Sequence, residues 1–118
     1  MVQSIDVRLA LLGNTADNEP HNCDIRGRIV DVCFGAHRNE EGVLEFVVLV
    51  KATLNFPQVH FETLGRTTRT TPAERICLAF EQATQAKPID ALLWYGLGLA
   101  RQVRFDQEGA AEAFKTGI

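Results

Sequence analysis

The sequence predicts a single α+β domain spanning residues 1–118, with a strand-rich half (1–70) followed by a three-helix half (71–118). Two observations carry this. Apolar residues alternate with polar ones through much of the first half, the period of a half-buried strand. After Thr71-Pro72-Ala73-Glu74 they recur at helical spacing instead. Strands first and helices afterwards imply a mostly antiparallel sheet of three to four strands with the helices on one face.

The first strand is expected over Ser4 to Leu12, where Ile5, Val7, Leu9 and Leu11 share one face and Asp6 and Arg8 the other. Gly13 to Asn22 is rich in Gly, Asn, Asp and Pro and reads as a loop. A second strand is expected from Cys23 to Phe34, with a bulge near Ile29 where the apolar face changes sides. Gly35 to Gly42 is the next turn. Leu44 to Phe56 reads as a central strand, because every second residue is apolar and Val47 and Leu49 add apolar character to the other face. Pro57 ends it, and Val59, Phe61 and Thr63 suggest a short fourth strand.

In the second half, Thr71 is expected as an N-cap with Pro72 at the first helical position and Glu74 closing a capping box. Ile76, Phe80 and Ala83 make that helix's apolar stripe. Pro88 separates it from a second helix, in which Ile89, Leu92, Leu93, Gly96, Leu97, Ala100 and Val103 make a wide stripe. Trp94, Tyr95 and Leu99 flank the stripe, so this helix should be buried between neighbours. A third helix follows from about Asp106 to Lys115, with Gly117 as its C-cap.

Bulk composition bounds the function. With 46% hydrophobic and 23% charged residues the chain is an ordinary globular protein. A net charge of −3 argues against a general binder of nucleic acid or membrane surfaces. The longest charge-free apolar run, Ala91 to Ala100, is about half of the roughly 20 residues a membrane span needs. Asp6 and Arg8 break any secretory-signal pattern, and three scattered cysteines suit a reducing compartment, so a cytoplasmic protein is expected.

The helical half resembles tetratricopeptide repeats, whose period is about 34 residues. Trp94-x2-Leu97-Gly98 matches the opening of that pattern and Ala110-x3-Phe114 its middle. Phe80 precedes Phe114 by one such period, and Pro88 sits where a preceding repeat ends. Arg101 stands where the pattern has Tyr and Ile76 where it has Ala. The register covers residues 72–118, and the same spacings also suit any closely packed antiparallel helix pair. The resemblance implies a protein-binding scaffold without catalysis.

Candidate sites are few. His21, Cys23, Cys33 and His37 have a metal-like order, but an extended Cys23–Cys33 would hold its ends roughly 30 Å apart at about 3.3 Å per residue, too far for one ion. Ser4, the cysteines and His60 lie in no nucleophile motif, and no cofactor is expected. Arg26 and Arg28 read as guards of a sheet edge. Arg66, Arg69, Thr71 and Arg75 surround a predicted helix start, where free N–H groups favour an anion. Trp94, Tyr95 and Leu99 are the candidate interface. The function expected is a small protein-interaction module with an unidentified protein partner and a possible homodimer. The alternative is a small-ligand or anion-binding protein, or an enzyme, with its site near residues 65–75.

Overall fold

A computed structural model describes residues 3–19 and 22–117. Among these the elements are all helices: α1 (Gln3–Asn18), α2 (Cys23–Gly35), α3 (Asn39–Ala52), α4 (Pro57–Thr67), α5 (Ala73–Ala86), α6 (Ala91–Val103) and α7 (Gln107–Thr116). There is no strand among the described residues, so the expected α+β class and its antiparallel sheet are corrected to an all-helical fold.

The physical reason lies in apolar sets that satisfy two periods at once. In α1, Ile5, Val7, Leu9 and Leu11 alternate, but Leu9, Leu12 and Ala16 also recur every three to four residues. The helical set wins: Ala16 is buried, with Leu9 and Leu12 against it, while Val7 and Leu11 face solvent. The change of face near Ile29 is not a bulge. Ile29, Val30, Cys33 and Phe34 form one buried helical stripe. In α3 the buried set is Gly42, Val43, Phe46, Val47, Leu49 and Val50, leaving Leu44 and Val48 exposed. This helix is rich in β-branched valine, whose intrinsic preference is for strands; burial of the stripe overrides a cost of about a few tenths of a kcal/mol per residue.

Helix ends follow local chemistry. Asn22 caps α2, its side chain accepting from the N–H groups of Asp24 and Ile25. Asp90 caps α6 through Leu92 N–H and Asp106 caps α7 through Gly109 N–H. The expected N-cap at Thr71 is displaced by one residue: Pro72 occupies the cap of α5, and no side chain accepts there. Gly117 caps α7 as expected, with the right-handed φ of −74° rather than a left-handed one.

The helices after α1 recur in pairs. The first members, α2, α4 and α6, begin at Cys23, Pro57 and Ala91, each one tetratricopeptide period after the last. The second members, α3, α5 and α7, begin at Asn39, Ala73 and Gln107 and keep the same interval. Phe46, Phe80 and Phe114 hold the same position in the three second helices. Phe46 and Phe80 are fully buried and meet edge to face at 5.6 Å between ring centroids.

The pairs are not equivalent. α2 with α3 and α6 with α7 form tight hairpins, closed by His37 at φ 63° and Phe105 at φ 65°. Thr71 occupies the same register in the middle pair. A β-branched residue resists positive φ, and the following Pro72 restricts it to extended backbone, so the turn cannot form. α5 instead packs on α3 and α6. One core runs from α2 to α7, and a smaller cluster of Ala16, Ile29 and Cys33 attaches α1.

Candidate functional site

The centre of the helix array is a buried polar junction. His60 of α4 is 2% exposed and lies between the end of α3 and the face of α6. Its Nε2 is 2.8 Å from Thr53 Oγ1 and 3.1 Å from the Thr53 carbonyl oxygen, and its Nδ1 is 3.0 Å from the Tyr95 hydroxyl. A carbonyl can only accept, so Nε2 carries the proton; Nδ1 then accepts from Tyr95 O–H. Thr53 Oγ1 donates to the Leu49 carbonyl at 2.6 Å. Burial lowers the His60 pKa, and the bond to Thr53 opposes that only in part. The imidazole is a neutral linker of three helix pairs. Burial also raises the Tyr95 hydroxyl.

Beside this junction opens a cavity of about 380 Å³, bounded by Val50, Leu54, Pro57, His60, Ala91, Leu92, Tyr95, Phe114 and Gly117. None of these side chains carries a formal charge. Leu54 and the neighbouring Phe56 are exposed, and Ile89, two residues before the Ala91 wall, is 97% exposed. A second cavity of about 320 Å³ lies between α3, α5 and the start of α6, floored by Val43, Val47, Ala79 and Ala83, with Glu40, Lys87 and Asp90 among its lining. The first combines an apolar hollow with two polar groups and an exposed apolar side chain, Leu54, in its lining, the usual composition of a binding surface.

Of the residues expected to hold an anion, Thr71 and Arg75 are brought together, Arg75 donating to the Thr71 hydroxyl oxygen at 3.5 Å. Arg66 and Arg69 are exposed. Thr71 is 1% exposed. Arg75 turns toward the end of α2, where one terminal nitrogen donates to the Phe34 carbonyl and the other to His37 Nδ1 at 3.0 Å. Its guanidinium therefore ties α5 to the α2–α3 turn. Arg26 and Arg28 lie on α2, with no sheet edge to guard.

Of the expected interface residues, Tyr95 lines the larger cavity. Trp94 is partly buried and donates from Nε1 to the Pro88 carbonyl at 2.8 Å. Leu99 is 5% exposed and belongs to the core. A strand reading of residues 44–63 separates His60 from Thr53 and hides them as a pair. Thr53 ends α3 and His60 lies in the first turn of α4, so the break before Pro57, which folds one helix back on the other, is the signal that joins them.

Cys23 and Cys33 fall on one helix, about 15 Å apart along its axis at roughly 1.5 Å per residue. His21 lies outside the described residues, as does the Ser4 side chain. Among the described residues no three His, Cys, Asp or Glu groups are arranged to hold a metal. Burial pushes the Cys33 thiol up to about 11, with Glu41 and Glu45 adding to the shift, and burial raises Cys77 as well. Both are poor nucleophiles near neutral pH. No described helix is long and apolar enough to cross a membrane.

No protein-family model matches the chain, and no curated protein matches it.

Proposed function

We propose that the chain is a protein-interaction module built from three helix pairs of tetratricopeptide type, and that it meets its partner at the apolar cavity between α4, α6 and α7. The observation that carries this reading is the recurrence of both helices of each pair at a constant interval, with Phe46, Phe80 and Phe114 in register. It extends the period seen in residues 72–118 back to Cys23. Helix-pair arrays present extended surfaces suited to gripping polypeptide. The cavity supplies a place for an apolar anchor, and the exposed Leu54 carries its apolar lining out to the surface. Cys33 and Cys77 form no disulfide, which suits a reduced, cytoplasmic protein.

The test is selection from a displayed peptide library against the folded chain, with each ligand mapped by amide chemical shifts. Selected peptides should be apolar, and their shifts should cluster at Leu54, Leu92, Tyr95 and Phe114. Selections that return nothing, or shifts scattered over the surface, would end the reading.

A further inference from the structure

A chain of hydrogen bonds runs from the cavity wall into the core, and all its protons point one way. Thr53 Oγ1 spends its hydrogen on the Leu49 carbonyl at 2.6 Å, so from the His60 ring at 2.8 Å it can only accept. The Thr53 carbonyl, 3.1 Å from the same Nε2, can only accept as well. Both fix the proton on Nε2 and leave Nδ1 an acceptor, so the Tyr95 hydroxyl at 3.0 Å donates. Of the nine residues bounding the 380 Å³ cavity, only His60 and Tyr95 carry polar side-chain atoms. His60 is 2% exposed, with both nitrogens engaged. Tyr95 is half-buried; its hydroxyl has given away its one hydrogen, while the oxygen keeps a lone pair to spare. Donating inward makes that oxygen a stronger acceptor, because hydrogen bonds in a chain polarise one another. The side chains of the cavity therefore offer an occupant one acceptor, no donor and no charge.

We propose that the cavity receives the indole ring of a tryptophan from a partner polypeptide, the ring N–H donating to Tyr95 Oη. This rests on the reading above that the cavity is where the chain meets protein, and it names the anchor. The choice follows from what each kind of side chain would bring. Carboxylates bring only acceptors, to a site that already presents one. Lysine and arginine bring donors on a charge that nothing in the lining balances. Amides and hydroxyls bring a donor together with lone pairs, for which the lining side chains have no hydrogen left. Phenylalanine and the aliphatic residues leave the Tyr95 oxygen unanswered. Indole is a large apolar body with one donor and no acceptor. The walls suit a flat ring: Tyr95 and Phe114 stand 5.9 Å apart at 44°, and His60 meets Tyr95 edge-on at 5.6 Å. A volume of about 380 Å³ is at the lower end for ligand cavities, which fits a single anchor. Tryptophan is also among the side chains that most often carry the binding energy of protein interfaces.

Amide chemical-shift titration of the full chain with indole and with benzofuran tests this. Benzofuran has the same shape, with an oxygen in place of the N–H. Indole should shift Leu92, Tyr95 and Phe114 and bind about tenfold more tightly than benzofuran. Tyr95→Phe should bring indole down to the benzofuran level, and circular dichroism checks that the variant folds. N-acetyltryptophanamide should shift the same residues as indole, and peptides selected against the chain should carry tryptophan. Equal binding of indole and benzofuran to wild type overturns the proposal whatever becomes of the variant, as does a preference that survives Tyr95→Phe. Indole that leaves those residues unmoved overturns it too, and indole that binds where N-acetyltryptophanamide does not overturns the polypeptide source. In each case, selected peptides with aliphatic anchors that map to the same residues would leave the cavity reading standing, so the two fail separately.

Discussion

His60 is the residue at which one proton reaches furthest. The neutral ring spends its donor on Thr53 and its acceptor on Tyr95, and burial holds the folded pKa below its ordinary value of 6.5. With the folded pKa depressed, the unfolded chain takes up the proton first. The stabilising contribution is therefore complete above the unfolded pKa and is lost as pH falls below it toward the folded value. Unfolding in urea at about pH 7.5 and about pH 5.5 should show lower stability at the acid end, with a slope from this group of at most about 1.4 kcal/mol per pH unit. His60→Gln should flatten the slope in that window; an unchanged slope would mean that another group titrates. Gly96 makes a second point at this scale. A Cβ there would sit 2.4 Å from Cε1 of the fully buried Phe80 ring. Ala is the better helix former by about 1 kcal/mol. Overpacking against an immobile ring costs about 1–3 kcal/mol. Gly96→Ala should come out destabilising by about 1 kcal/mol in the same experiment, and a stabilised variant would show that Phe80 can move.

The turns explain why the middle helix pair differs from its neighbours. His37 and Phe105 accept left-handed backbone to close their hairpins, while Thr71 before Pro72 cannot. A left-handed conformation costs a non-glycine residue about 1–2 kcal/mol, and glycine returns about half of that in chain entropy. Because its ring is 87% exposed, Phe105 contributes little by burial. Phe105→Gly should therefore stabilise the protein by about 0.5–1 kcal/mol in chemical unfolding. His37→Gly should gain less, since His37 Nδ1 accepts from Arg75. These turns also separate what is legible in the sequence from what is not. Helices α5, α6 and α7 can be read because Pro72, Pro88 and Asp106 bracket stripes that fit only the helical period. In α1 through α4 the apolar residues are dense enough to fit period two as well, and the valines of α3 tilt local preference toward strand. The repeat of helix pairs is the global signal against that. It runs from Phe80 back to Phe46 as clearly as from Phe114 to Phe80, but a strand assigned to Leu44–Phe56 conceals it. The His60 junction is hidden for the same reason, since its partners at positions 53 and 95 converge only when α3, α4 and α6 are all helices.

At the scale of the whole molecule, the three register phenylalanines rank the junctions between pairs. Phe46 contacts Phe80 and the His60 ring, Phe80 contacts Phe34 and Phe46, and both are sealed from solvent. Truncating a buried phenylalanine to alanine costs about 3–5 kcal/mol, a large part of the roughly 5–15 kcal/mol that holds a domain together. Phe46→Ala or Phe80→Ala should therefore leave the chain marginally folded. Phe114 is half-covered, touching Tyr95 at 5.9 Å between centroids and lying over Gly98. Its truncation should cost about half as much, read in the same urea unfolding that ranks Phe46→Ala and Phe80→Ala. Equal penalties at all three positions would show that the half-covered Phe114 ring is as fully served by its contacts with Tyr95 and Gly98 as its two buried counterparts are by theirs.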